Sequence, residues 1–176
     1  MRKIFIYILF ILELNISACA EEPKFILHDK CINILYRAAK TYFTDNEIFI
    51  IRDSRGIILR FGIKSPKEEY IKISPETKNK LLKIGDFLAK IENPVIIEVH
   101  TVTAEPQNSI NEKNWEISAV IAGNIEHEII YNRKSLNSQI HSVGYGEFLP
   151  ENNTPNNGGK LLNRVDIIIL CNINGE

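Results

Sequence analysis

The run Val165-Asp166-Ile167-Ile168-Ile169-Leu170-Cys171 is apolar throughout except for one carboxylate. A strand without alternating polar positions suits the inside of a sheet that is covered on both faces. The rest of the chain supplies neighbours for it. Ile48 to Ile51 and Ile57 to Phe61 are β-branched and aromatic runs around the turn cluster Asp53-Ser54-Arg55-Gly56, which predicts two paired strands. Val95 to Val99 reads as a further buried strand and Ile140 to Val143 as a short one.

Helical spacing fills the intervals. Across 25–44, Leu27, Cys31, Ile34, Leu35, Ala38 and Tyr42 mark one face of a helix, which is expected either to pack on its own core or to dock on a partner. Ser74, Pro75 and Glu76 supply an N-cap, a first-turn proline and an early acid. Leu81, Ile84, Leu88 and Ile91 continue as a stripe that Asn93-Pro94 ends. Gly85 inside this helix costs about 1 kcal/mol against alanine and predicts a close helix-to-sheet approach. Ile117, Ile121, Ile125 and Ile129 recur every fourth residue in a third helix from about Trp115 to Ile130, with Asn114 as its N-cap. The order helix, strand pair, helix, strand, helix, strand, strand predicts an α/β fold of the α+β sandwich kind, a mixed β-sheet with helices packed on it.

A chain of 176 residues, 44% hydrophobic and 24% charged, fits one globular domain with a short extension. A net charge of −1 gives no basic excess for nucleic acid. Arg2, Lys3 and the apolar run Ile4 to Leu12 read as a signal peptide over residues 1–18, well short of the roughly 20 apolar residues of a spanning helix. Ile16-Ser17-Ala18-Cys19 resembles a lipobox, which makes Cys19 the candidate lipidation site; Ala18-Cys19-Ala20 also fits ordinary A-x-A cleavage. Residues 19–46 then form an N-terminal extension and helix, 47–171 the domain and 172–176 a tail. Cys31 and Cys171 could pair in an oxidising envelope compartment, although a Cys in an amphipathic helix and one at a strand end are more often two free buried thiols, so their redox state is left open.

Three blocks occur in order: Asn114-Trp115-Glu116-Ile117-Ser118-Ala119-Val120-Ile121-Ala122, Gly144-Tyr145-Gly146-Glu147 with Pro150, and Asn163-Arg164-Val165-Asp166-Ile167. Together they resemble the OmpA-like peptidoglycan-binding domain in the form found in the flagellar stator protein MotB. The similarity spans roughly Glu47 to Leu170. It implies an OmpA-like fold facing the periplasm, with the peptidoglycan stem peptide as ligand. In that family an Asp ending a G-H-T-D motif holds the ligand's ammonium, and an Arg in an L-S-x-x-R-A motif holds its carboxylate through a bidentate fork. Here the Asp position is Val102 and the Arg position is Ile121.

The family-matched positions that remain are His100, Thr101, Asn114, Ser118 and Arg164, with Gly144 and Gly146. Each has a structural account beside the ligand-binding one: His100 as a strand-end histidine, Asn114 and Ser118 at a helix start, the glycines in a turn. Arg164 is costly to retain without a charged partner. Glu105 is the candidate acid if the wall's diamine lacks a second carboxylate. The resemblance therefore implies wall binding in weakened or altered form, or a scaffold that meets another envelope or flagellar-motor protein through Val102 and Ile121.

Other sites are not expected. His28 and Cys31 have a metal-like spacing without a second pair, and His100, His127 and His141 show no motif spacing. Gly158-Gly159-Lys160 lacks the first half of a P-loop. With no nucleophile motif and no telling pair of carboxylates, neither catalytic residues nor a cofactor nor a metal is expected.

Overall fold

A computed structural model describes residues 24–64, 72–101, 114–131, 133–146, 148 and 163–171. The expected signal segment, Cys19, Val102, Glu105, most of the Asn-rich loop and the tail lie outside the described residues, as does the side chain of Asn114. Helix α1 (Lys24–Tyr42) leads into strands β1 (Phe49–Asp53) and β2 (Gly56–Gly62), helix α2 (Pro75–Leu88) and strand β3 (Val95–His100). Helix α3 (Asn114–Tyr131), a 3-10 turn at Lys134–Leu136, and strands β4 (Ile140–Gly146) and β5 (Arg164–Leu170) follow. The strands form one mixed sheet in the order β1-β2-β5-β3-β4. Its centre is β5, antiparallel to both β2 and β3, while β3 and β4 are parallel. The expected α/β architecture is thus present, with the apolar run at the middle of the sheet.

Alternation along the strands builds the core. Leu59 of β2, Ile97 of β3 and Ile167 of β5 point to one face and are fully buried there against α2 and α3. Helix α2 contributes Leu81, Ile84 and Leu88, and α3 contributes its isoleucines at every fourth position. Ser74 caps α2, its Oγ accepting from the Thr77 N–H at 3.2 Å, and that helix ends at Leu88, well before Asn93-Pro94. Gly85 does not serve a helix-to-sheet approach. A Cβ there would stand 2.8 Å from the Arg133 guanidinium, which crosses the glycine to reach Asp86 Oδ1 (2.6 Å) and the Leu82 carbonyl (3.1 Å).

The expected face of α1 is rotated. Leu35 and Ala39 are its buried positions, with Phe43 buried just past its end, whereas Leu27, Ile34, Ala38 and Tyr42 are exposed. The apolar residues of α1 span more of the helix than one stripe, so periodicity alone could not choose the inward side. Packing chose it: Phe43 and Phe87 meet with ring centroids 5.3 Å apart.

Of the two alternatives for the cysteines, the less favoured one is present. Cys31 and Cys171 form a disulfide, their Cα atoms 5.9 Å apart, because α1 lies across the end of β5. His28 reinforces this junction. Its Nδ1 and Nε2 each stand 2.8 Å from a carbonyl oxygen, of Cys171 and Ser54 respectively. Neither His28 nor Cys31 is therefore available as a metal ligand. No described helix is long and apolar enough to cross a membrane.

Candidate functional site

The face of the sheet opposite α2 and α3 carries charge. Each of its three central strands holds isolated ionic residues in an otherwise apolar run: Arg60 in β2, Glu98 and His100 in β3, Arg164 and Asp166 in β5. Strand register sets Arg60 and Glu98 on either side of Asp166, and His100 opposite Arg164. All five are buried. Asp166 accepts two bonds from Arg60 (2.5 and 2.8 Å) and one from Arg164 Nε (3.1 Å). Glu98 accepts from Arg55 (2.9 Å), which reaches in from the β1–β2 turn while its Nε holds Asp53. Burial works against the Arg55 charge, but its bonds to Asp53 and Glu98 outweigh that and hold the guanidinium above its usual value.

His100 sits among these groups, its Nε2 3.9 Å from Glu98 and 3.8 Å from Asp166, and its ring stacks on Tyr145 (centroids 5.3 Å apart, planes within 9°). Immediately beyond it the chain joins the start of α3. The Thr101 N–H donates to the Gly146 carbonyl (3.1 Å), and the Gly146 N–H donates to Ser118 Oγ (2.8 Å), which in turn donates to the Trp115 carbonyl (2.9 Å). Gly146 adopts φ 55°, a left-handed conformation suited to glycine. Gly144 is not a turn residue. A Cβ there would fall 2.1 Å from the Ala119 backbone nitrogen, so this glycine lets β4 press directly on α3.

The structure therefore gathers His100, Thr101, Ser118 and Arg164 at one end of β3 and β5, beside the N-terminal turn of α3. Thr101 and Ser118 are fully buried, and Ser118 ties a helix to a strand. The partner that Arg164 requires is Asp166, within the same strand. Ile121 is fully buried in the core, so it does not line a surface open to another protein.

Sequence reasoning missed Arg60, Glu98 and Asp166 as a unit. The signal was present: charges of both signs embedded in three apolar strands point to mutual neutralisation inside the fold. The ligand atoms offered by Glu98, His100 and Asp166 lie within 4.8 Å of one another, a spacing that a cation would accept. The charges argue otherwise. Arg60 and Arg164 already bond Asp166 and Arg55 bonds Glu98, so a divalent ion would add uncompensated charge to a buried site. The cluster is an internal ionic network rather than a metal centre.

Comparison with solved structures places the fold. The chain superposes on a MotB-like protein from Desulfovibrio vulgaris with a TM-score of 0.61 at 18% identity, covering 82% of this chain and 94% of that one. The fold is that of a MotB-like domain. The MotB-like fold recurs at a TM-score of 0.58 in the cell wall anchor of the type VI secretion system of Pseudomonas aeruginosa (16% identity, 78% of this chain and 97% of that one). An outer membrane protein of Borrelia burgdorferi gives 0.53 at 25% identity, over 70% of this chain and 97% of that one. Among curated proteins, the uncharacterized YtxE of Bacillus subtilis is 27% identical over 142 residues, 77% of this chain. The chain spans 58% of that relative's length. No family model matches.

Proposed function

We propose that the chain is a non-catalytic protein of the bacterial cell envelope, held at a membrane through a lipid on Cys19, whose MotB-like domain associates with peptidoglycan in altered form. The observation that carries this reading is the combination of a MotB-like fold with an apolar, fully buried Ile121 at the position where the resembled family places its carboxylate-holding arginine. The outer membrane is the favoured attachment, with a periplasmic, unlipidated protein as the alternative. The Cys31–Cys171 disulfide supports an exported location independently, because such bonds persist in oxidising compartments and are rare in reducing ones. The fold neighbours add a wall anchor and an outer membrane protein to the same picture.

Loss of both ionic handles changes what the wall can offer. Each hydrogen bond to a charged group contributes about 1.5–3 kcal/mol, so recognition of the stem peptide falls by several powers of ten unless other contacts replace them. The interaction-module alternative with an envelope or motor protein loses Ile121 as a contact, since that side chain lies in the core.

The deciding experiment is co-sedimentation of the purified protein with sacculi, alone and with Val102→Asp. Weak retention that Val102→Asp strengthens at least tenfold supports the reading. Retention of neither protein by sacculi of either diamino acid chemistry would sink it.

A further inference from the structure

The outward face of α1 carries exposed apolar side chains beside basic ones. Leu27 and Ile34, 50% and 66% exposed, are two turns apart on one line of the helix, and Ala38 continues that line. Lys30 and Arg37, also two turns apart and exposed, form a second line beside it, with exposed Lys40 further round. Asp29 is the sole acid in the helix sequence. Cations border the helix from other elements too: Arg52 of β1 lies 4.2 Å from the Tyr36 ring centroid and Lys90, just past α2, lies 4.6 Å from that of Tyr42. With a net charge of −1 for the whole chain, this basic surface is a local feature.

We infer that this face of α1 lies on an anionic lipid surface, with Leu27 and Ile34 entering the boundary between headgroups and acyl chains and Lys30 and Arg37 meeting phosphates. Parallel lines of apolar and basic side chains are what an interfacial helix needs, since burial and attraction to anionic lipid add. A second copy of this chain fits less well, because pairing two such faces sets Lys30 and Arg37 of one against the same residues of the other. A hydrated polyanion such as the wall gains from the cations yet leaves Leu27 and Ile34 in water. The other side of α1 is fixed to the domain by the Cys31–Cys171 bond and by His28, so this contact would set the orientation of the whole domain at the membrane. The inference rests on the reading that the chain is held at a membrane.

The test uses the protein as purified from the envelope, with Ile34→Trp and Trp115→Phe so that one indole reports α1; the chain has a single natural tryptophan. Bound to vesicles of brominated phosphatidylcholine with phosphatidylglycerol, this indole should be quenched, and on phosphatidylcholine alone at least fivefold less. Phe148→Trp with Trp115→Phe, at the sheet edge away from α1, should stay unquenched. Adding Lys30→Gln with Arg37→Gln should weaken docking on anionic vesicles roughly 30-fold and leave sedimentation with sacculi unchanged. Absence of quenching at position 34, or equal quenching at 34 and 148, overturns the inference. So does loss of sacculus retention in the Lys30→Gln, Arg37→Gln protein, which would assign the face to the wall. A protein that docks on vesicles but is not retained by sacculi defeats the wall reading and leaves this one standing.

Discussion

The two faces of the central sheet are built from the same strands by opposite means. Toward α2 and α3, residues such as Leu59, Ile97 and Ile167 are buried by apolar packing; on the reverse, Arg60, Glu98, His100, Arg164 and Asp166 are buried as a cluster in which opposite charges offset the cost of leaving water. The first kind of burial is non-directional and tolerates exchange of one aliphatic residue for another. The second depends on particular donors meeting particular acceptors, so losing one member strands the others. The contrast predicts that one face sets how stable the domain is and the other which strand lies beside which.

Substitutions can break that contrast in order of severity. Ile121→Arg would place a guanidinium in the apolar core and is expected to abolish folding, read as loss of the cooperative urea transition. A protein with Ile121→Arg that unfolds at the wild-type midpoint would show that α3 tolerates the arginine, and with it an open cleft. Asp166→Asn on the ionic face leaves Arg60 and Arg164 without their carboxylate, and should lower stability by about 3–5 kcal/mol. Replacing Arg60 and Asp166 together with Met and Leu tests the division of labour directly. The pair substitution should recover most of that loss, with net destabilisation within about 1 kcal/mol, if the ion pair acts through specificity. A loss as large as in the single variant would show that the cluster contributes stability in its own right.

Gly144→Ala probes the seam where β4 meets α3. Its methyl group would collide with the Ala119 backbone, at an expected cost of about 1–3 kcal/mol. Acid is the gentlest probe, because it acts on the rim rather than on either face. Lys64 and then Lys80 bond Glu76 and bring its carboxyl down to about 2; a bond from Lys83 lowers Asp45. At Asp53 burial raises the value, but the bonds from Arg55 prevail and lower it. Carboxylates depressed in the folded state stabilise above their unfolded values near 4, and that contribution is lost as pH falls toward 2. The urea midpoint should thus be flat from pH 7 to 5 and decline below it, and high salt should reduce the decline.

The apolar face was legible in the sequence because it obeys a period. The β-branched and aromatic run of Ile57 to Phe61 and the recurrence of isoleucine at every fourth residue from Ile117 to Ile129 place a strand and a helix without any knowledge of the partners. The candidate site was legible only in pieces. His100, Thr101, Ser118 and Arg164 could be picked out by resemblance, but that Ser118 bonds Gly146 and that Arg164 bonds Asp166 depends on which strands adjoin. Arg60 and Asp166 are 106 residues apart and their bond is fixed by register alone. The rotation of α1 failed for a related reason, since its inward side is selected by Phe87 and by Cys171, both remote in sequence. Cys31 and Cys171 gave no spacing motif to announce their bond.

That bond joins residues 140 positions apart, one on the first helix and one just past the last strand. During synthesis Cys31 must wait for almost the entire domain before its partner exists. The link can then only ratify an arrangement reached without it, and once closed it turns the chain between the two cysteines into a ring.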